Sequence, residues 1–187
     1  SSALLSWQME YMELIGANNE SLAELNGEGV VVCVVDSGVD LGHPDLRGVE
    51  LRGWRDSING IEEPYDDEGH GTAMTGIIVS DGGLDGVAKG VDLLVAKAID
   101  DEGLGTDGTV SDSVDWCVEQ GADIISLSLG GSQSFGSDFF TTDELEQSVN
   151  DALDSGVFVV SSAGNDGEDD DGDVGSPGSV EDVICVG

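Results

Sequence analysis

The run Val30-Val31-Val32-Cys33-Val34-Val35 puts six apolar residues in a row, five of them valine. A strand with one wet face alternates apolar and polar side chains, so an unbroken β-branched run calls for a strand covered on both faces. It is far too short to span a bilayer. The same signature returns in Asp92–Ile99, Asp123–Ser128, Val157–Ser161 and Asp182–Val186. Helical patterns lie between these runs. Val110, Val114, Cys117 and Val118 recur at helical spacing before Gly121, and Leu145, Val149, Ala152 and Leu153 share a face until Gly156. Thr141 with Glu144 fits a capping box opening that second helix, and residues 4–25 hold one or two further amphipathic helices. Buried strands alternating with helices predict an α/β fold with a mostly parallel central sheet. The 187 residues suffice for one domain with a sizeable core.

Charge narrows the setting. Forty Asp and Glu face five Lys and Arg, a net charge of -35. Such a surface repels nucleic acid and anionic membranes, so neither is an expected partner. It is not a disordered acidic tail, because 39% of residues are hydrophobic and they fall into regular segments. A folded domain acidic along its whole length fits a high-salt setting, where ions screen the self-repulsion. The acidic run Glu168 to Asp171, with Asp173, reads as a solvated loop of this kind. Cys33, Cys117 and Cys185 are odd in number and far apart, so they read as three buried small hydrophobes rather than as a disulfide framework or a metal site.

In parallel α/β folds, ligands sit beyond the carboxyl ends of the strands, and the unusual residues lie there. Asp36 follows the valine run and precedes the Ser37-Gly38 turn. Alone it reads equally as a turn former. His70, one of two histidines, stands between Gly69 and Gly71 at the start of a helical run through Val79. Alone it reads as a structural imidazole satisfying a local hydrogen bond. Ser128-Leu129-Gly130-Gly131 and Ser161-Ser162-Ala163-Gly164-Asn165 each follow a strand. Their glycines leave backbone groups open to an extended peptide, and an Asn amide at a strand end suits a developing oxyanion.

In combination and in this order, these segments resemble the subtilisin-like serine proteases. Asp36-Ser37-Gly38-Val39-Asp40, with His43-Pro44-Asp45-Leu46 downstream, resembles that family's Asp motif, and Gly69-His70-Gly71-Thr72 with Gly76 its His motif. Ser126 to Gly131 resembles the segment that binds substrate backbone, and Ala163-Gly164-Asn165 the segment carrying the oxyanion Asn. The resemblance runs from about Trp7 to Gly187. It implies a subtilisin-like three-layer sandwich and a serine endopeptidase acting on polypeptides in extended conformation. Asp36 would orient His70, His70 would be the general base, and Asn165 would stabilise the oxyanion. Gly103-Leu104-Gly105 would face Ser128-Leu129-Gly130 across the cleft, with Ala163 and Gly164 beside the primary pocket. A monomer, secreted into brine as halophilic members of the family are, is expected.

Two departures shape the expectation. The family's nucleophile lies in a Gly-Thr-Ser motif, and none occurs here: Gly71-Thr72 precedes Ala73 and Gly108-Thr109 precedes Val110. The chain is therefore expected to form the N-terminal part of the catalytic domain, over 1–187, with the Ser-bearing part missing. The alternative is a catalytically inactive subtilase-like module that grips peptides. A nucleotide-binding domain is disfavoured because no Gly-x-Gly-x-x-Gly follows Val30–Val35. No cofactor is expected to be required. Ser80-Asp81-Gly82-Gly83-Leu84 is shorter than the family's calcium loop, which puts a calcium site in doubt although Gln8 and Asp45 match other ligands of it. No other metal site is expected.

The charge makes a direct prediction. The Debye length shrinks from about 30 Å at about 0.01 M salt to about 3 Å at about 1 M, so repulsion spanning the domain at low salt vanishes at high salt. Urea or thermal unfolding of the full-length protein across a sodium chloride series, with potassium chloride as control, should show the midpoint rising steeply. A midpoint unchanged from about 0.05 to about 3 M would remove salt adaptation as the reason for the acids.

Overall fold

The computed structural model describes residues 12–19, 24–129, 143–165 and 174–187. The valine run becomes β1, Val31–Asp36, buried at all six positions. With β2 (Leu51–Asp56), β3 (Asp92–Lys97), β4 (Ile124–Leu127), β5 (Phe158–Ser162) and β6 (Ile184–Val186) it forms one sheet ordered β2-β3-β1-β4-β5-β6. Every neighbouring pair is parallel. The helices are α1 (His70–Val79), α2 (Asp107–Glu119) and α3 (Asp143–Asp154).

β1 is buried twice over, and its side chains sort by parity. Val31, Cys33 and Val35 face a core made with Val110, Val114 and Cys117 of α2 and Leu145, Val149 and Ala152 of α3. Val34 faces the other way, into a smaller core with Val39, Leu46 and Val79 at the end of α1. The result is three layers. Fully burying a Val or Leu side chain stabilises by about 1.5–3 kcal/mol, so α2 and α3 are held by their apolar stripes more than by helix propensity. α2 also starts with a reciprocal cap, in which the Thr106 and Thr109 side chains each accept from the other's backbone amide.

The strand order places the site. From β1 the chain builds β2 and β3 on one side of the sheet, then β4, β5 and β6 on the other. The winding direction therefore reverses beside β1, which opens a crevice past the carboxyl end of that strand. Asp36 is its last residue.

Two sequence expectations change, those for β2 and for the cysteines. β2 was absent from the predicted strands: Leu51-Arg52-Gly53-Trp54-Arg55-Asp56 has two arginines, a glycine and no alternation, as suits a half-covered edge strand with an irregular register between Leu51 and Gly53. The cysteines are not three buried hydrophobes. Cys33 and Cys117 form a disulfide between β1 and α2, with Cα atoms 5.9 Å apart, and Cys185 is exposed. Strand parity and helix phase, neither visible in sequence spacing, bring the pair together across 84 residues. Of the N-terminal helical stretch, residues 12–14 are helical and residues 15–18 form turns. Most of that stretch, the Thr141 cap, and the acidic residues Glu168 to Asp171 and Asp173 lie outside the described residues.

Closing a loop of this length stabilises by about 4–5 kcal/mol in the chain-entropy picture. Peptide mapping of the denatured, unreduced full-length protein should recover the Cys33 and Cys117 peptides cross-linked and the Cys185 peptide alkylated. Replacing both core cysteines by alanine should lower the unfolding midpoint. Free thiols at Cys33 and Cys117 in protein purified without reductant would contradict the pairing.

Candidate active site

The site is built where α1 meets the turn after β1. Gly71 lies so close to that turn that an added Cβ would sit 2.3 Å from the Gly38 carbonyl oxygen. Gly38, at φ 121°, in turn leaves no room for a Cβ against the Tyr65 carbonyl. The helix start can press against the turn only because neither residue carries a side chain.

An α-helix leaves its first amides without intrahelical acceptors. Here each of the first three has its own side chain. His70 N–H donates to Glu68 Oε2 (2.7 Å), Gly71 N–H to Ser37 Oγ (2.8 Å) and Thr72 N–H to Asp66 Oδ2 (2.9 Å). Ser37 Oγ then donates to Asp66 Oδ1 (2.9 Å), so the Asp36 turn and the helix start share one network. Asp66 also accepts from the Glu68 and Gly69 amides and the Thr72 hydroxyl. Burial pushes its carboxyl up, but the bonds from Thr72, Gly69 and Ser37 outweigh burial and hold it below the usual carboxylate range.

This framework delivers His70 to Asp36. The Asp36 carboxylate is 2% exposed, takes the Ser37 amide at 2.7 Å, and meets His70 Nδ1 at 2.9 and 3.0 Å through its two oxygens. A carboxylate at Nδ1 favours the tautomer with hydrogen there, leaving Nε2 to accept a proton. The hydrogen bond that His70 donates to Asp36 raises the His70 pKa above its ordinary value; burial opposes this, and the charges of Asp36, Glu68 and Asp66 add to it. His70 stays 47% exposed, open to an incoming group.

A cleft of about 460 Å³ opens over this pair. Of the residues expected from sequence, Asp36, His70, Asn165, Gly103, Ser128, Leu129 and Gly164 line it. Ala163 does not line it, and its amide bonds to the Val186 carbonyl at the β5–β6 edge. Leu104 and Gly105 are also set back. The Leu104 backbone bonds in both directions with Asp100, and Gly105 packs where a Cβ would lie 2.7 Å from Ile99. Gly130 lies outside the described residues. Sequence reading missed Glu68, Met74, Ile99 and Ser162, which complete the lining. Glu68 sits in the acidic stretch Asp66-Asp67-Glu68, which resembles any solvated surface run, although its position two residues before His70 was a usable signal.

Across α1, Asp45 Oδ1 accepts from the Gly83 amide (2.5 Å), and Lys89 Nζ lies 2.9 Å from both Asp81 and Asp85. The 81–85 turn thus engages protein donors, and among the described residues no three His, Cys, Asp or Glu side chains converge as a metal site.

The Subtilase family profile matches residues 27–187. The chain is 38% identical to Serine protease AprX of Bacillus subtilis (strain 168), covering 87% of this chain and 39% of that protein. It is 36% identical to the Major intracellular serine protease of the same organism, covering 87% of this chain and 52% of the relative. A relative described as extracellular, the Minor extracellular protease Vpr, is matched as well. Among solved structures, a cold adapted subtilisin-like serine proteinase superposes with a TM-score of 0.74 at 30% identity, over 88% of this chain and 56% of that one. The chain thus spans roughly two-fifths to three-fifths of these proteins, and its parallel sheet is the subtilisin-like fold. The chain belongs to the subtilase family.

Proposed function

We propose that the full-length protein is a serine endopeptidase in which Asp36, His70 and a Ser carried outside these 187 residues act as a triad. The observation that carries this reading is the Asp36–His70 Nδ1 contact at the floor of an open cleft that also holds Asn165. His70 Nε2 takes the Ser hydroxyl proton as Oγ bonds to the peptide carbonyl carbon. The oxyanion accepts a hydrogen bond from the Asn165 side-chain amide. His70⁺ then passes its proton to the leaving amine as the C–N bond breaks, and water, deprotonated by His70, releases the acyl group. Asp36 remains ionised and stabilises the imidazolium.

The substrate is an extended polypeptide, flanked by Gly103 on one side and Ser128-Leu129 on the other. Small walls at Ser128 and Gly164 favour large uncharged side chains, and Glu68 disfavours acidic ones. The turn at Asp81–Asp85 needs no calcium. Export to a salty, oxidising medium suits the buried disulfide and the acidic surface, and the protein acts as a monomer.

A fluorophosphonate probe should label one Ser of the full-length protein. His70→Ala should abolish labelling, and Asp36→Asn should cut kcat by about 10⁴, as loss of the orienting carboxylate does in serine proteases. Asn165→Ala should cost about 10²–10³ in kcat, the loss seen on removing the oxyanion Asn of subtilisin, the family's namesake. No labelling of the wild type, with peptide binding retained, would favour the inactive peptide-gripping module.

The pH profile carries a sign. Only neutral His70 can take the Ser proton, and Asp36 holds the cationic form. The acid limb of kcat/KM should therefore fall with an apparent pKa above the ordinary value of about 6.5, and Asp36→Asn should move it down. A wild-type limb at or below that ordinary value would contradict the coupling.

A further inference from the structure

We propose that Lys97, at the carboxyl end of β3, is a positioning residue that holds the Asp36–His70 pair in register from beneath. The inference rests on the triad reading above, and the test below separates the two.

Lys97 interrupts the apolar run Leu93-Leu94-Val95-Ala96 and is paired with Asp36 across the β1–β3 ladder. It is 0% exposed. An ammonium has three protons, and each has an acceptor: the Ser37 carbonyl at 2.6 Å, Asp67 Oδ1 at 2.6 Å and the Ile99 carbonyl at 2.7 Å. The Tyr65 ring covers it, with its centroid 5.0 Å from Nζ. Burying a charge is costly, and an apolar side chain of similar volume often serves stability as well or better.

What the ammonium does that a methyl group cannot is join three segments at one atom. Ser37 follows Asp36. Asp67 lies three residues before His70, on the loop that leads into α1. Ile99 lines the cleft. The Ala98 and Ile99 amides already bond to the Asp36 carbonyl, so Lys97 closes the remaining gap between the Asp turn, the His loop and the cleft wall. Without it, two carbonyls and the anchored side of Asp67 lose their common donor, and the His loop is freed to shift relative to Asp36.

The test uses the full-length protein assayed well below each variant's unfolding midpoint. Lys97→Met should lower kcat by about 30–100-fold with KM within about twofold, the size of effect expected from a misplacement of about 1 Å. The downfield NMR resonance of the His70 Nδ1 proton bound to Asp36 should broaden or vanish. Lys97→Arg should recover part of both. Leu145→Ala, in the core between sheet and α3, should lower the midpoint yet keep kcat and the resonance. Asp67→Asn, at a half-exposed site compatible with folding, should reduce kcat by about 3–10-fold through the same route.

Wild-type kcat and an intact resonance in Lys97→Met, or losses matched by Leu145→Ala, would overturn the inference. If Lys97→Met fails to fold, Lys97→Arg and Asp67→Asn decide: unchanged kcat and resonance in both would overturn it. If instead His70→Ala keeps full activity, the triad reading is what fails. The resonance still reports whether Lys97 holds the pair.

Discussion

The contact on which the site depends is between two residues without side chains. Gly71 of α1 rests on the Ser37-Gly38 turn with no space for a Cβ, and every other feature of the pair follows from that approach. It brings Ser37 Oγ under the Gly71 amide and carries His70 over the end of β1. The bonds among Ser37, Asp66 and Thr72 then fix the helix start in rotation as well as in distance. Individually these are ordinary hydrogen bonds, each with a net worth of about 1 kcal/mol. Together they leave the imidazole little freedom of direction, so Nδ1 stays on the Asp36 carboxylate while the ring remains open to the cleft.

How much of this could be read in the sequence depended on whether a feature is local. The strand under Asp36 was legible because burial on both faces demands an unbroken valine run. The helices of Val110–Cys117 and Leu145–Ala152 were legible through their spacing. β2 was not, because an edge strand that is only partly covered needs no regular pattern, and Arg52 and Arg55 break what remains. The cysteines misled for a related reason. Pairing Cys33 with Cys117 requires knowing which side of β1 faces α2, and that is a property of the assembled layers.

At the site the same division holds. Asp36, His70 and Asn165 stand in recognisable local motifs and line one cleft. Ala163, Leu104 and Gly105, expected from the family resemblance, stand beside the cleft without lining it: the Ala163 amide bonds to β6 and the Leu104 peptide groups to Asp100. Glu68 and Asp66 were hidden in a chain with forty acids, where a carboxylate that caps α1 looks like any that faces water. Lys97 carried the clearest overlooked signal, a charge at the end of a strand otherwise fit only for the core.

That signal gains weight from what salt does to charges. Arg52 with Asp92, Arg55 with Asp112, and Lys89 with Asp81 and Asp85 are pairs with side chains 38–74% exposed. Exposed pairs are worth about 0–1 kcal/mol even in dilute buffer, and at molar salt they are screened over about 3 Å. Such pairs can be discarded at little cost wherever salt is high, and this chain carries only five basic residues. Lys97 is different because solvent ions do not reach its ammonium: its bonds to Ser37 and Ile99 are buried, and its bond to Asp67 is partly buried. Its hold is set by the packed interior and persists where surface electrostatics has been silenced. Where high salt quiets surface charge, buried contacts of this kind are the ones left to hold Asp36 against His70.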